Sequence, residues 1–419
     1  MQDYYDLIIA GGGTAGCAAA YNAGIRGLKT LLIEKEIHLG GSITSGLVIP
    51  AMKSSDNQIN TDFFLALINE LKKLNAQITY MDNPGWFNPE LCKVALDRLM
   101  KKAKVDILFE THVTGANIVK NLINGLNLTS NMLSVYIGAK YVIDATGDCE
   151  IGKISLCDFL NSNEENFQFV SLRFEMGGIN LEEFSKWLLD YDKDRNITTL
   201  EIINGEIHLS TACTDTGKWA LEPLFKDAVA SGILKNEDIS YFQLFTIPGK
   251  PDCISLNCPR INFPINPLNN IERSKALLHG RESIIRLAEF CKIYFPGFEN
   301  SYISNIADSL GVRVSRRIKG KYIYTVQDLI TGKKFKNPVL IGNYPIDIHS
   351  IASKSKLEHV MQDYQLPIEA LMSANYDNLF VAGRCISADF EAQSALRIQP
   401  SCFSMGEGVA KHIADLLKL

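Results

Sequence analysis

The chain lacks most of the signatures that would fix its class at a glance. Its ten cysteines, at 17, 92, 149, 157, 213, 253, 258, 291, 385 and 402, include no C-x-x-C pair, and no Cys/His group has the spacing of zinc ligands. A sequence-encoded metal site is therefore not expected, and the closest pair, Cys253 and Cys258, reads as coincidence. No basic stretch opens the chain at Met1-Gln2-Asp3-Tyr4-Tyr5-Asp6, and the apolar run that follows is only a strand long, so no export signal is expected. No segment approaches the roughly 18 consecutive apolar residues of a membrane-spanning helix, which argues against a membrane partner. A net charge of −5 gives no reason to expect nucleic acid. Ten thiols without an export signal fit a reducing cytoplasm. Internal repeats and low-complexity tracts are also missing.

What is present is length and ordinary composition. At 419 residues, 46% hydrophobic and 21% charged, the chain is long enough for about two well-packed domains. Asp6–Ala10 is an apolar run ending in glycines, which predicts a buried strand. Thr14–Ala23 predicts a helix rich in small residues, and Leu28–Glu34 a second buried strand, so the chain opens with a βαβ unit. Asn60–Leu74 and Pro89–Lys102 predict helices, with Pro89 at a tolerated early position. Val105–Glu110 and Lys140–Ala145 predict strands, the latter running into Thr146-Gly147-Asp148. After about residue 155 the character changes. Asn161–Asn166 is polar, apolar runs shorten, and Pro248-Gly249-Lys250-Pro251 and Asn262–Pro267 are loops. The strand-then-helix pattern returns at Leu379–Gly383 and from Pro400 onward. The expected architecture is α/β: a discontinuous Rossmann-like nucleotide-binding domain from 1–155 plus 346–419, with an inserted mixed α/β substrate or cap domain at 156–345.

The chemistry starts at Gly11-Gly12-Gly13-Thr14-Ala15-Gly16, which fits G-x-G-x-x-G. Gly11 permits the tight turn, Gly13 lets backbone approach a pyrophosphate, and Gly16 lets the helix pack on the sheet. The helix beginning at Thr14 and Ala15 turns its unpaired N–H groups and positive dipole end toward phosphates. Glu34 closes the second strand where a carboxylate can accept hydrogen bonds from an adenosine ribose. A lone glycine motif is weak, but strand, glycines, helix, strand and acid in that order are strong. The turn alone leaves FAD and NAD both open.

Later segments favour FAD by resemblance. Leu39-Gly40-Gly41-Ser42, Asp144-Ala145-Thr146-Gly147-Asp148, Gly311–Gly320 (GVRVSRRIKG) and Asn378–Arg384 (NLFVAGR) together resemble the FAD-dependent oxidoreductase family. That family is related in its nucleotide domain, of the three-layer glutathione-reductase type, to fumarate reductase flavoproteins and thiazole-synthesis enzymes. The likeness runs along nearly the whole chain but is tight only at these segments. It implies that Glu34 and Lys35 flank the adenosine and that Gly41 and Ser42 lie by the pyrophosphate. It also implies that Val113 meets the adenine through its backbone and that Ala145, Thr146 and Gly147 cover the nucleotide. Gly383 and Arg384 would lie near the ribityl chain; many distant relatives of the fold carry an acid in place of this arginine, which many members of the oxidoreductase family itself share. The last helix, opening at Gln399-Pro400-Ser401, would aim its N–H groups at the flavin's pyrimidine edge, where reduced flavin gathers negative charge. No histidine is assignable to covalent attachment, so FAD is expected to bind non-covalently.

The substrate side is thinner. Flavin carries its own hydride chemistry, leaving the protein to position a substrate, handle a proton and exclude water. Arg313, Arg316 and Arg317 read either as an anion clamp or as a solvated strand edge. If the segment is a strand, Arg313 and Arg317 share a face and Arg316 points away. Arg397, just before the last helix, reads either as a group projecting toward the flavin or as a structural hydrogen-bond donor. His349 has a proton-transfer reading and a packing one. Cys385 adjoins the flavin strand without a partner cysteine nearby, so small buried packing is expected. The functional expectation is an FAD-dependent oxidoreductase transferring a hydride between flavin N5 and a small organic substrate, anionic if the arginines form a clamp. A non-catalytic flavin-binding redox sensor, a flavin-dependent RNA-modifying enzyme and an NAD dehydrogenase stay open beside it.

Overall fold

The first strand, Tyr4–Ala10, is buried from Leu7 to Ala10 because it lies in the middle of a parallel sheet covered on both faces. The computed structural model describes every residue except 1, 132, 161–166, 213–218, 350–355 and 419. The polar stretch Asn161–Asn166 and Cys213 thus lie outside the described residues. Thr30–Ile33 pairs parallel with the first strand on one side, Leu7 opposite Thr30 and Ala10 opposite Ile33, and Asp106–Leu108 continues the sheet beyond it. On the other side runs Leu133–Asp144, whose second half pairs parallel with the first strand up to Ala10 opposite Asp144. Leu379–Val381 then adds parallel to the same strand, Val381 also facing Asp144. The chain's two ends therefore meet in one sheet.

The strand Leu133–Asp144 does double duty. Its first half pairs antiparallel with Leu122–Ser130, which pairs antiparallel with His112–Val119, making a three-stranded meander. Sequence periodicity passed over this meander between residues 112 and 138. Its first strand is half-buried or exposed throughout, and although Ile123, Leu126, Leu128 and Ile137 are buried, Asn117, Asn121, Asn124 and Asn127 break up the apolar signal. The helices are closer to expectation. Thr14–Ile25, Asp62–Lys73, Pro89–Lys102 and Gln399–Leu416 all form, and Asn88 caps the third by accepting from the N–H groups of Glu90 and Leu91.

A second, fully antiparallel sheet runs in the order Thr199–Ile203, Glu206–Ala212, Gln243–Ile247, Lys250–Leu256, Phe174–Gly177, Tyr302–Ile306. The 25-residue helix Asn270–Tyr294 contributes Ile284, Leu287 and Phe290 to its core. Aromatic rings dominate there, with Phe225 and Phe290 centroids 4.2 Å apart. The two apolar cores are distinct, and Ile318, Tyr324, Leu329 and Leu340 belong to the first.

One expectation fails here. Residues 311–317 form no strand, so Arg313 and Arg317 share no face. The segment threads between the two sheets with scattered bonds in place of a ladder: Gly311 N–H to Ser171 O and Ile318 N–H to Cys385 O.

The last helix lies along the first helix at backbone contact. A Cβ on Gly406 would fall 2.1 Å from the carbonyl oxygen of Ala15. Gly406→Ala is accordingly expected to destabilise the protein by ~2 kcal/mol or more through overpacking, read as a lowered denaturation midpoint. An unchanged midpoint would refute this close approach.

Candidate flavin and substrate site

The glycine turn folds back on itself. Gly11 has φ +94°, and a Cβ on Gly16 would lie 1.8 Å from Gly11 O, so no side chain fits at either place. At Gly13, by contrast, a Cβ would meet nothing within 4 Å, which leaves the turn open on the side where a pyrophosphate approaches. Glu34 ties the turn down from below, accepting from Gly12 N–H at 2.7 Å and Glu36 N–H at 3.0 Å. Burial raises the Glu34 pKa, and those two donors oppose the rise. The loop carrying Gly41 and Ser42 packs onto the turn: Gly40 N–H donates to Gly12 O at 2.8 Å, and the Ser42 and Thr14 hydroxyls are 3.3 Å apart. Ala145 continues from the sheet by donating to Ala10 O, and Thr146 bonds Asp144 through both N–H and hydroxyl. Thr111 N–H reaches Glu34 O, which brings the start of the Val113 strand alongside the acid. Lys35 points outward, its Nζ 3.5 Å from Glu150 Oε1.

At the chain's far end, Gly383 (φ +92°) lies against Ala15. Arg384 turns its guanidinium to Asp148 at 2.6 Å and Val312 O at 3.2 Å. Arg273 of the long helix reaches the same carboxylate at 3.3 Å. Burial alone would raise Asp148, but Arg384 and Arg273 hold it down at about 2. The N-terminus of the last helix has no side-chain cap and no acid in its first turn. Gln399 donates to Val48 O at 2.6 Å, and Gln58 donates to Pro400 O at 3.0 Å. Among the described residues, the Oε1 of Gln399 and the hydroxyl of fully buried Ser401 have no hydrogen-bond partner. Orphaned buried polar atoms at an uncapped helix start, together with an open glycine turn, fit a dinucleotide with a polar ring system.

A second cluster lies beside this helix start. Arg397 donates to Asp347 Oδ2 and to Asp347 O, both at 3.0 Å. His349 Nε2 lies 3.3 Å from Asp347 Oδ1, and its Nδ1 accepts from Arg260 at 2.8 Å. With one ring nitrogen accepting from an arginine and the other donating to a carboxylate, the imidazole is held as the neutral Nε2–H tautomer. Burial and the neighbouring Arg313 guanidinium together depress its pKa to about 3. Asp347 is held well below the carboxylate range: burial pushes it up, and His349 and Arg397 more than reverse that. Arg313 donates to Phe169 O and stands near Arg397 and Arg260; burial, followed by those two like charges, lowers it to about 9. Arg260 also stacks on the Tyr241 ring, 4.5 Å from its centroid. Gln168 accepts from His349 N–H at 3.1 Å, while its buried Nε2 has no partner among the described residues.

The three candidates Arg313, Arg397 and His349 are thus brought together, and Arg316 and Arg317 are not: they donate to Asp148 O and Ala388 O respectively. Sequence reasoning missed Gln168, Tyr241, Arg260 and Asp347. The only hint was the Asp347-Ile348-His349 triplet, because the others lie in the stretch without recognisable motifs. Cys385 is buried and unbridged, as are the other eight described cysteines.

The His349 pKa gives a pH dependence of known sign. The unfolded imidazole takes up a proton below ~6.5, whereas the folded one resists until about 3, so protons favour unfolding across that window. Stability should fall as pH drops from ~6.5 toward 3, and His349→Gln should flatten the slope relative to wild type in melts run across that range. Parallel pH profiles for the two proteins would contradict the assignment.

The sequence comparisons agree with this geometry. A family model described as FAD dependent oxidoreductase matches residues 6–417. Thiamine thiazole synthases of Saccharolobus islandicus and Saccharolobus solfataricus are 28% identical over 162 residues, 36% of this chain and 60% of theirs. The match thus spans less than two thirds of those relatives. Ferredoxin–NADP reductase 3 of Lysinibacillus sphaericus is 54% identical over 43 residues, 10% of this chain and 12% of that one. Among solved structures, p-nitrophenol 4-monooxygenase PnpA of Pseudomonas putida has a TM-score of 0.50 at 9% identity, covering 100% of this chain and 81% of its own, a likeness of fold alone. With an open glycine turn, a buried acid beneath it and a family match along nearly all its length, the chain belongs to the FAD dependent oxidoreductase family, and FAD is its cofactor.

Proposed function

We propose that the protein is an oxidoreductase that passes a hydride between flavin N5 and a small organic anion, docked among Arg260, Arg313 and Arg397. The observation that carries this reading is Arg313. Its guanidinium lies deep in the protein beside Arg397, its hydrogen bond goes to the neutral carbonyl of Phe169, and the nearby carboxylate of Asp347 is already bridged to Arg397 and His349. A recessed charge held among like charges is costly unless a counter-charge joins it. An anionic substrate supplies that counter-charge. The orphaned Gln168 Nε2 adds a donor on the same side.

FAD, when bound, supplies the two-electron exchange. On the proposed reading the Gly11–Gly16 turn and Glu34 hold its diphosphate and ribose, with Gly41, Ser42, Ala145, Thr146 and Gly147 along the nucleotide and Lys35 and Val113 at the adenosine. Gly383, Gln399, Pro400 and Ser401 line the flavin end. Arg384 takes a different part from a ribityl contact: it fixes Asp148 and, through it, the Arg273 helix. His349, with both ring nitrogens engaged, holds Arg260 and Asp347 in place, and so acts as a positioning residue with no free nitrogen for proton transfer.

The test uses the purified flavoprotein and a panel of small organic acids beside their uncharged amides and esters, read by flavin bleaching or reoxidation. Acids should react and their neutral counterparts should not. Arg313→Gln should keep its FAD and its visible spectrum while kcat/KM falls about 10- to 100-fold, the size of a lost hydrogen bond to a charged group. Equal turnover of neutral compounds, or an Arg313→Gln enzyme with unchanged kcat/KM, would overturn the anion reading. A colourless protein that takes up no FAD would overturn the flavoenzyme itself.

A further inference from the structure

The strand Phe174–Gly177 and the residues leading into it present two faces of opposite character. Val170, Leu172, Phe174 and Met176 belong to the second core, so the residues between them, Ser171, Arg173 and Glu175, turn to the other face. That face looks toward the nucleotide-binding layer: Phe245, level with Glu175 across Ser255, belongs to the first core. Ser171 pairs antiparallel with Arg260, which sets Arg173 and Arg260 on one sheet face. Each guanidinium lies over an aromatic ring, Arg260 at 4.5 Å from the Tyr241 centroid and Arg173 at 6.0 Å from that of Phe245. Those rings are four residues apart, ~13 Å of extended chain, so the two guanidiniums are separate anchors. Arg173 is half-buried. Its Nη1 donates to Leu47 O and Ile49 O at 3.2 and 3.0 Å, and its Nε and Nη2 have no hydrogen-bond partner among the described residues. No carboxylate among those residues pairs with it: Glu175, on the same face, gives its charge to Lys250 Nζ at 2.7 Å. Burial lowers the Arg173 pKa to about 10, and only Tyr241 and the Cys258 thiol act against that. Arg173 is thus a recessed cation with donors to spare and no counter-charge.

We propose that Arg173 is a second anion-binding point of the substrate site and that the substrate is a dicarboxylic acid, one carboxylate among Arg260, Arg313 and Arg397 and the other on Arg173. This rests on the reading of the first three arginines as an organic-anion site and adds a second charge to the molecule they hold. An arginine fork suits a carboxylate because two parallel N–H donors match its two oxygens. With Nη1 engaged by the Leu47 and Ile49 carbonyls, the Nε–Nη2 edge of Arg173 is the fork that remains. The placement of the loop agrees. Val48, between those two carbonyls, accepts from Gln399 Nε2 at 2.6 Å, and Arg397 lies two residues before Gln399. Arg173 and Arg397 are therefore tied to the same helix start, one through the Leu47–Ile49 loop and the other through the chain itself. Two anchors held at a fixed separation select the length of the acid as well as its charge.

The experiment is calorimetric titration of the oxidised flavoprotein with saturated straight-chain dicarboxylates of graded length, their mono-amides and the matching monocarboxylates. The best dicarboxylate should bind about 10- to 100-fold more tightly than its own mono-amide, and affinity should peak at one chain length. Arg173→Gln should erase the difference between acid and amide, and Arg173→Lys, which keeps the charge without the fork, should retain part of it. Should Arg173→Gln lose its fold or its FAD, the wild-type comparison of acid and amide still decides. Monocarboxylates that bind as tightly as every dicarboxylate would overturn the second point and leave the first in place. Binding by none of the acids would overturn the anion site and this inference with it. An Arg173→Gln protein that keeps the dicarboxylate preference would assign Arg173 to the loop alone. One that weakens acid and amide alike while shifting the flavin reduction potential would assign it to the flavin, and either result overturns the proposal.

Discussion

The arrangement of the site rests on backbone lying against backbone where no side chain has room. The turn at Gly11–Gly16 closes on its own carbonyl and on Ala145, and the last helix meets the first at Gly406 and Ala15 O. Those contacts set the opening strand beside the Asp144–Gly147 segment and the first helix against the last, which opens at Gln399. The two helix starts, at Gly13 and Ile398, both lack a side-chain cap. Anionic and electron-rich groups are favoured at both by the same dipole argument.

Above that frame, two carboxylates organise the charges. Asp148 gathers Arg384 and Arg273, and Asp347 gathers Arg397 and His349, with Arg260 attached through the histidine. In each case an arginine from the stretch around the antiparallel sheet (Arg273, Arg260) is drawn to an acid at the edge of the nucleotide-binding layer. The ion pairs therefore register the two cores against each other as well as set the local field. Arg313 is the exception, a cation placed among cations.

Legibility in the sequence followed the range of the interactions. The glycine turn, Glu34 and the flanking strands could be read because their chemistry is local: spacing along 29 residues from Asp6 to Glu34 carries it. Pro89–Lys102 was read to the residue because its cap and its proline are local too. The meander failed because asparagines and glycines interrupt the short apolar positions of its strands, Ile123, Leu126, Leu128 and Ile137, which are buried only once the sheet is assembled. The Arg313–Arg317 segment failed as a strand because nothing nearby supplies a ladder; its bonds go to Ser171, Phe169, Asp148 and Ala388, far away in the chain. Arg260 and Gln168 carried no signal at all, since their roles exist only once the second sheet is folded against the first. Arg384 shows the same lesson in reverse: its motif position was legible, its hydrogen-bond partner was not.

The pairing of Leu379–Val381 with the strand ending at Asp144, and of the last helix with the first, bears on how the protein is made. A nascent chain that has emerged only through its βαβ unit exposes one side of a sheet whose closing strand is still hundreds of steps from translation. On the proposed reading of Gln399–Ser401, nucleotide capture is a late event, coupled to the arrival of that helix, and non-local closure of this kind folds slowly. Ribosome-stalled or C-terminally clipped products would be expected to circulate without their yellow cofactor and to be the species that quality-control proteases meet first.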